Sequence, residues 1–118
     1  MAMLDELKDL GVDVDKALTT LAGKTSLYER LVIKFYTMLN EYAISPDFDN
    51  HDYNEMIEKT HALKGAAGNL SITPLYNAYT EIVDLLRQDK PEEAKEVLRN
   101  ILPLQEDIMQ CIKKYMVG

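Results

Sequence analysis

Apolar residues recur at intervals of three and four along most of the chain, which is the spacing of one face of an α-helix. The pattern predicts a short helical turn or two at residues 3–10, and then helices at Val14 to about Leu21, Ser26 to about Tyr42, Asp52 to about Leu70, and from Thr73 through Leu86. Asp89-Lys90-Pro91-Glu92 marks the start of a last helix, whose apolar positions extend from Ala94 to Tyr115. No stretch alternates with a period of two for long enough to predict a strand. We therefore expect an all-α fold, an antiparallel four-helix bundle with a short N-terminal helix packed at one end.

Local signals at the helix ends support these boundaries. The residues expected to cap helix starts are Asp13, Thr73 before Pro74, and the two capping-box pairs Ser26 with Glu29 and Asp52 with Glu55. Gly23 is expected to end the second helix. Pro103 falls inside the last helix and removes one backbone hydrogen bond, so it predicts a kink or a short break there.

The helix that starts at Thr73 is predicted to be amphipathic, and the third and fourth helices also have apolar faces. In the third helix we expect the buried residues to be Leu27, Leu31, Phe35, Met38, Leu39 and Tyr42. In the fourth helix they are expected to be Tyr53, Met56, Ile57, Thr60, Leu63, Ala67 and Leu70. Each set follows the helical period, so one face of each helix is predicted to pack into a core.

The fourth helix carries a second stripe beside its apolar face. His61, Lys64, Gly65 and Gly68 have offsets of three, four and seven residues, which place them together on one side of a helix. Glycine inside a helix costs about 0.5–1 kcal/mol relative to alanine. Neutral imidazole is a competent nucleophile, and a missing side chain one turn away would allow a phosphoryl group or a macromolecule to approach it. Lys64 could then offer positive charge to an anion held there.

The composition of the chain limits the classes of partner that it is expected to bind. The 118 residues suffice for one domain, residues 1–118, with a single core. With 20 acidic and 13 basic residues the net charge is -7, which argues against nucleic acid and anionic membranes and favours protein partners. The chain has no G-x-x-x-x-G-K-[ST] phosphate loop and no dinucleotide-type glycine turn. It is thus not expected to be an autonomous kinase, and any phosphoryl group on His61 would come from another protein.

The remaining reactive residues point to no further site. Cys111 is the only cysteine, so no internal disulfide can form, and we expect it to be a small core residue in a reducing compartment. His51 lies in the loop 43–51 and is expected at the surface. Glu58-x-x-His61 matches one pair of a di-iron bundle site, but such a site needs two pairs and further glutamates, so no metal is expected. The N-terminus lacks signal-peptide features, and a cytoplasmic location is expected.

The segment HALKGAAGNLSI, residues 61–72, resembles the H-x-[LI]-K-G-[SA]-[SA]-x-x-[LIV]-G motif of histidine-containing phosphotransfer domains, the HPt modules of multistep two-component phosphorelays. Upstream, Leu10-Gly11-Val12-Asp13 before a short helix and a Leu-Tyr pair opening the next one are similar to the family's N-terminal half. The resemblance covers most of the chain. The sequence departs from the motif at Ser71, where glycine is more usual, and at Ile72, where a small residue is common.

The resemblance implies a four-helix bundle and a role for each residue of the stripe. His61 would accept a phosphoryl group from the aspartyl phosphate of a receiver domain and pass it to the aspartate of another receiver. Lys64 would help to neutralise the phosphoryl charge, Gly65 would provide steric access, and Gly68 would provide access or permit close packing. The chain itself would bind no cofactor, and Mg²⁺ is expected in the partner receiver. Ala62 and Asn69 are candidates for the docking surface of a monomeric protein.

Two other functions fit the same features. One is a helical adaptor that binds a partner without chemistry, which loss of the histidine or the lysine would have favoured. The other is the phosphoacceptor domain of a chemotaxis-type histidine kinase, which has a similar H-x-x-K-G stripe but receives its phosphate from an ATP-bound kinase domain.

Overall fold

The protein is all-helical in the computed structural model, which describes residues 2–116. Within that range it has six α-helices and no β-strand: α1 (Ala2–Asp9), α2 (Val14–Thr20), α3 (Thr25–Glu41), α4 (Asn54–Asn69), α5 (Thr73–Arg87) and α6 (Pro91–Tyr115). The predicted helix class and the predicted order of elements are confirmed. None of these helices combines the length and apolar character needed to cross a membrane.

Helices adjacent in the chain also pack against each other. The most extensive contacts join α4 to α5 and α5 to α6, and α3 contacts both α4 and α6. The two short helices extend this packing: α1 contacts α2 and α6, and α2 contacts α3. Near the α1–α6 contact, the Glu6 carboxylate accepts hydrogen bonds from Lys114 and Tyr115. These two bonds hold the pKa of Glu6 below its usual value.

The core has contributions from all six helices, and its register on α3 differs from the prediction. The buried residues of α3 are Tyr28, Val32, Phe35 and Leu39. Leu27, Leu31 and Met38, which were expected there, are half-buried, and Tyr42 is exposed. The apolar stripe of α3 is wide enough for two adjacent registers, and packing against α4 and α6 selects the one that includes Tyr28.

Side-chain caps form at fewer helix starts than the sequence predicts. Asp13 caps α2 as expected, with its carboxylate accepting from the Lys16 N–H at 3.1 Å. The predicted capping boxes at Ser26 and Asp52 are wrong, since α3 and α4 begin after Lys24 and Tyr53 and neither start has a side-chain cap. These starts fall one or two residues from the expected positions, so the hydroxyl and the carboxylate do not reach the free N–H groups. Thr73 likewise lies inside α5 instead of capping it.

Four of the helices end in the same kind of turn, with a left-handed residue followed by a return of the chain. The left-handed residues and their φ values are Gly11 at 96°, Ala22 at 56°, Ser71 at 56° and Asp89 at 59°. At each, the two N–H groups after the helix donate to carbonyls of its last turn in a Schellman pattern. Gly23, the predicted stop for α2, takes part in one of them, donating to the Leu18 carbonyl at 2.7 Å. These tight ends leave only short links before α2, α3, α5 and α6.

The last helix is continuous through Pro103. It extends unbroken from Pro91 to Tyr115, so the short break considered from the sequence is absent. Pro103 and Arg99, whose carbonyl loses its usual donor, are both exposed. The proline therefore lies on the exposed side of α6, where a carbonyl without a helical partner costs less than it would in the core.

Candidate functional site

The candidate site lies on the outer side of α4, beside the face that packs into the core. Of the predicted apolar stripe, Met56, Thr60, Leu63, Ala67 and Leu70 are buried, and Tyr53 and Ile57 are half-buried. His61, Gly65 and Gly68 are exposed and Lys64 is half-buried. The four residues of the predicted stripe therefore share one accessible side of a helix whose other side is fixed by packing. Such a helix holds a reactive side chain in a defined position better than a loop does.

The His61 ring has no competing partner. Within residues 2–116 its imidazole makes no hydrogen bond and no salt bridge. Both ring nitrogens are thus open to an approaching group. The other histidine, His51, is also exposed, but it lies in the loop before α4, where its backbone N–H donates to Asp49 at 2.8 Å.

The two glycines of the stripe have different surroundings. A methyl group built on Gly65 would meet no heavy atom within 4 Å, so the space one turn beyond His61 is open. A methyl group on Gly68 would lie 2.9 Å from Cδ1 and 3.0 Å from Cε1 of Tyr76 on α5. The geometry thus accounts for Gly68 through close packing with the Tyr76 ring. At Gly65 no packing demand exists.

Lys64 is a free cation beside this open space. Among the described residues it forms no salt bridge, and it is half-buried one turn along from His61. Its ammonium group is therefore available to an anion. At i and i+3 the two side chains project from the same side of α4.

Two grooves flank the end of the stripe, and Asn69 lines both of them. The α5 groove, between α4, α5 and α2, includes Lys16, Gly65, Gly68, Asn69, Thr73 and Tyr76. The α3 groove, between α4, α3 and α2, includes Thr20, Leu21, Leu31, Lys34, Met38 and Ala66. Of the two docking candidates named from the sequence, Asn69 is thus well placed, and Ala62 is half-buried. Lys16 and Lys34 were missed, because no local pattern links α2 or α3 to this part of α4.

Buried hydrogen bonds fix the end of α4. The Tyr28 hydroxyl donates to the Leu70 carbonyl at 2.8 Å, and the Asp13 N–H donates to the Ser71 carbonyl at 2.9 Å. Burial, with a smaller contribution from the Asp13 charge, raises the pKa of Tyr28, so the hydroxyl remains a donor. Both bonds join the N-terminal third of the chain to the turn after the stripe.

The two departures from the phosphotransfer motif both lie in this turn. Ser71 has a φ of 56°, a left-handed conformation that glycine adopts at lower cost, and this is the position where the motif has glycine. Ile72 is only 1% exposed and donates its N–H to the Ala67 carbonyl at 2.9 Å. A large apolar residue thus fills a core position at the end of the Schellman turn. Both substitutions lie behind the stripe and leave its outer face unchanged.

Other reactive groups lie away from the stripe. In residues 2–116 no group of three or more His, Cys, Asp or Glu side chains is arranged to hold a metal ion. Cys111 is buried as expected, and burial, followed by the Glu6 charge, raises the pKa of its thiol. It borders a cleft of about 760 Å³ between α1 and α6, which includes no residue of α4. His61 is exposed and lies away from this cleft.

Comparison of the chain with protein-family models, with curated proteins and with solved structures found no match. The geometry of the stripe and the motif that it resembles are therefore the features that indicate a function for this chain.

Proposed function

We propose that this protein is a phosphorelay intermediate of the histidine-containing phosphotransfer type. His61 accepts a phosphoryl group from the aspartyl phosphate of one receiver domain and passes it to the aspartate of another. The observation that carries the proposal is the position of His61: an exposed imidazole on the outer face of a helix whose inner face is buried.

The residues next to His61 support the same chemistry. Gly65 leaves open space one turn along α4 from His61, and Lys64 is a cation without a salt bridge in the described residues. A phosphoryl group needs both, because its oxygens carry negative charge and its transfer requires an in-line approach of the donor. In this site Gly68 contributes by packing, since its missing side chain makes room for Tyr76.

The proposed fold is an antiparallel bundle of α3, α4, α5 and α6 with the short N-terminal helix packed at one end. It is supported by the pairs of helices in contact, because α3–α4, α4–α5, α5–α6 and α3–α6 together close a ring of four. The links between α4, α5 and α6 are short, and short links favour antiparallel neighbours.

The transfer step needs no nucleotide. The lone pair of an unprotonated His61 ring nitrogen attacks phosphorus, and the P–O bond to the receiver's aspartyl carboxyl group breaks. The bonding electrons leave with the carboxylate, and the imidazole carries the phosphoryl group on nitrogen. The partner receiver is expected to hold the Mg²⁺ that stabilises the transferring charge. The chain then acts as a monomeric cytoplasmic carrier whose partners are receiver domains.

Phosphoryl transfer from a purified receiver tests the proposal. A receiver phosphorylated on its aspartate is mixed with the wild type, His61→Gln or His51→Gln. We expect acid-labile, base-stable label on the wild type and on His51→Gln, and none on His61→Gln. Label that persists in His61→Gln would show that the acceptor is another residue.

A parallel reaction separates the three functions considered for this chain. ATP with a dimeric histidine kinase core replaces the phosphorylated receiver as the donor. Labelling by the kinase core but not by the receiver would assign the chain to the chemotaxis-type phosphoacceptor domains. Labelling by neither donor would favour the adaptor.

A further inference from the structure

The distribution of charge around the two grooves differs from that of the rest of the surface. The lining of the α5 groove contains one charged residue, Lys16, and the lining of the α3 groove contains one, Lys34. Neither lining includes an aspartate or a glutamate, although the chain has 20 of them and a net charge of -7. Three other clefts in residues 2–116 each contain at least two carboxylates.

Both lysines are free to act on a partner. Each is exposed, and neither forms a salt bridge with another described residue. They come from different helices, Lys16 from α2 and Lys34 from α3, and the grooves that they line meet at Asn69. The two grooves thus contribute two unpaired cations on an acidic protein, and Lys64 on α4, which lines neither groove, is a third.

The α3 groove also has an accessible apolar surface. Leu21, Leu31 and Met38 are half-buried side chains of its lining, so they keep part of their apolar surface accessible. An apolar centre with charged residues at its edge is the usual composition of a protein–protein interface. The phosphates of a nucleic acid could contact the lysines, but they would make no use of the aliphatic side chains in this groove.

We propose that the α3 and α5 grooves form one docking face for an acidic protein surface, and that Lys16 and Lys34 determine which partners bind there. The identity of the partner as a receiver domain rests on the proposed function. Carboxylates are the ligands with which proteins hold Mg²⁺, so a domain that presents an aspartyl phosphate and Mg²⁺ carries a carboxylate cluster at its reactive end. With that cluster at His61, the acidic surface around it would extend over the lysine-lined grooves beside the stripe.

Two consequences follow for binding. Electrostatic steering acts mainly on the association rate and is screened by salt, so affinity for the partner falls as ionic strength rises. Loss of one rim lysine weakens binding by roughly two- to fivefold, and loss of both by about tenfold, as expected for solvent-exposed charges. Neither lysine needs to touch the reacting atoms, so both are specificity-determining residues.

The docking face is tested first with probes that require no receiver. A deca-glutamate peptide is titrated into ¹⁵N-labelled protein at low salt, with deca-lysine and deca-thymidylate as comparison probes. We expect the glutamate peptide to shift the amides of Lys16, Lys34, Gly65 and Asn69. Shifts centred on Lys113 and Lys114, or no shifts, would overturn the proposal, and tighter binding of deca-thymidylate at the same face would assign the face to nucleic acid.

Variants then identify the residues responsible. Lys16→Gln and Lys34→Gln should each lower the affinity of the protein for the glutamate peptide, whereas the control Lys90→Gln should leave that affinity unchanged. Lys90 is an exposed lysine next to Asp89, whose carboxylate accepts from Tyr53 at the opposite end of α4. Equal affinities in all three variants would refute the role of Lys16 and Lys34.

A receiver assay connects the face to transfer. If the receiver labels His61, Lys16→Gln and Lys34→Gln should raise KM for the receiver and leave kcat unchanged. An unchanged KM would overturn the role of the lysines while leaving the phosphorelay function intact. A wild type that receives no label would overturn the phosphorelay function, and the peptide titration would still decide whether the acidic-partner face exists.

Discussion

The two glycines on the outer face of α4 should respond to alanine with opposite changes in stability. At Gly65 an added methyl group meets nothing within 4 Å, so only helix propensity changes. Alanine inside a helix is about 0.8–1.0 kcal/mol more favourable than glycine, and Gly65→Ala should raise the free energy of unfolding by about that amount. For a chain of this size the gain corresponds to an increase in Tm of about 3 to 5 °C.

At Gly68 the same propensity gain is opposed by a clash. The new methyl carbon would lie 2.9 Å from the Tyr76 ring, well inside van der Waals contact. Overpacking of this kind typically costs about 1–3 kcal/mol, so Gly68→Ala should lower the free energy of unfolding by about 1 kcal/mol overall. In a Tyr76→Ala background the clash is absent, and Gly68→Ala should become stabilising by about 0.5–1 kcal/mol.

Urea unfolding followed by circular dichroism measures all of these variants under one condition. The double-mutant cycle isolates the contact between Gly68 and Tyr76 from the propensity difference. If Gly68→Ala stabilises the wild-type background as much as the Tyr76→Ala background, the packing explanation for Gly68 is wrong.

Substitution of Gly65 should slow phosphoryl transfer, even though Gly65→Ala should raise the free energy of unfolding. We expect Gly65→Ala to slow transfer from a phosphorylated receiver by about tenfold and Gly65→Gln by about a hundredfold, because added atoms displace the approaching group. Both variants should remain folded. Wild-type transfer rates in a folded Gly65→Gln protein would refute the steric role of this glycine.

Three further predictions concern stability and can be checked by the same urea unfolding assay. Ala22→Gly should stabilise the protein by about 0.5–1 kcal/mol, because Ala22 is exposed with a φ of 56°, and no gain would mean that its left-handed conformation is not strained. Tyr28→Phe should cost about 1–3 kcal/mol, because it leaves the Leu70 carbonyl without its 2.8 Å hydrogen bond, and an unchanged midpoint would show that this bond does not hold the end of α4. Thr60→Val should raise the free energy of unfolding by about 1 kcal/mol, since the Thr60 hydroxyl is buried without a hydrogen-bond partner in the described residues. A loss of stability would indicate a partner for that hydroxyl.

The sequence alone determined the helices and the two faces of α4. Helical periodicity is a local property, since residues three and four apart share a side of the helix whatever packs against it. The burial of Met56, Thr60, Leu63 and Ala67 and the exposure of His61 could therefore be predicted together. The same reasoning located α5 and the start of α6, where apolar spacing and proline agree.

Features that depend on packing between helices could not be predicted in this way. The register of α3, with Tyr28 buried in place of Leu27, is selected by packing against α4 and α6, which follow later in the chain. Capping at Ser26 and Asp52 failed because a shift of one or two residues in a helix start removes the geometry that a cap requires. Local pairs of residues do not encode that shift.

The surroundings of the candidate site likewise became visible only in three dimensions. Gly65 and Gly68 look equivalent in the sequence, and the Tyr76 ring on the next helix distinguishes them. Lys16 and Lys34 reach the grooves beside α4 because α2 and α3 pack there. The stripe is local because one helix carries it, whereas the shape and charge of the surface around it arise from side chains that are distant in sequence and are brought together by the core.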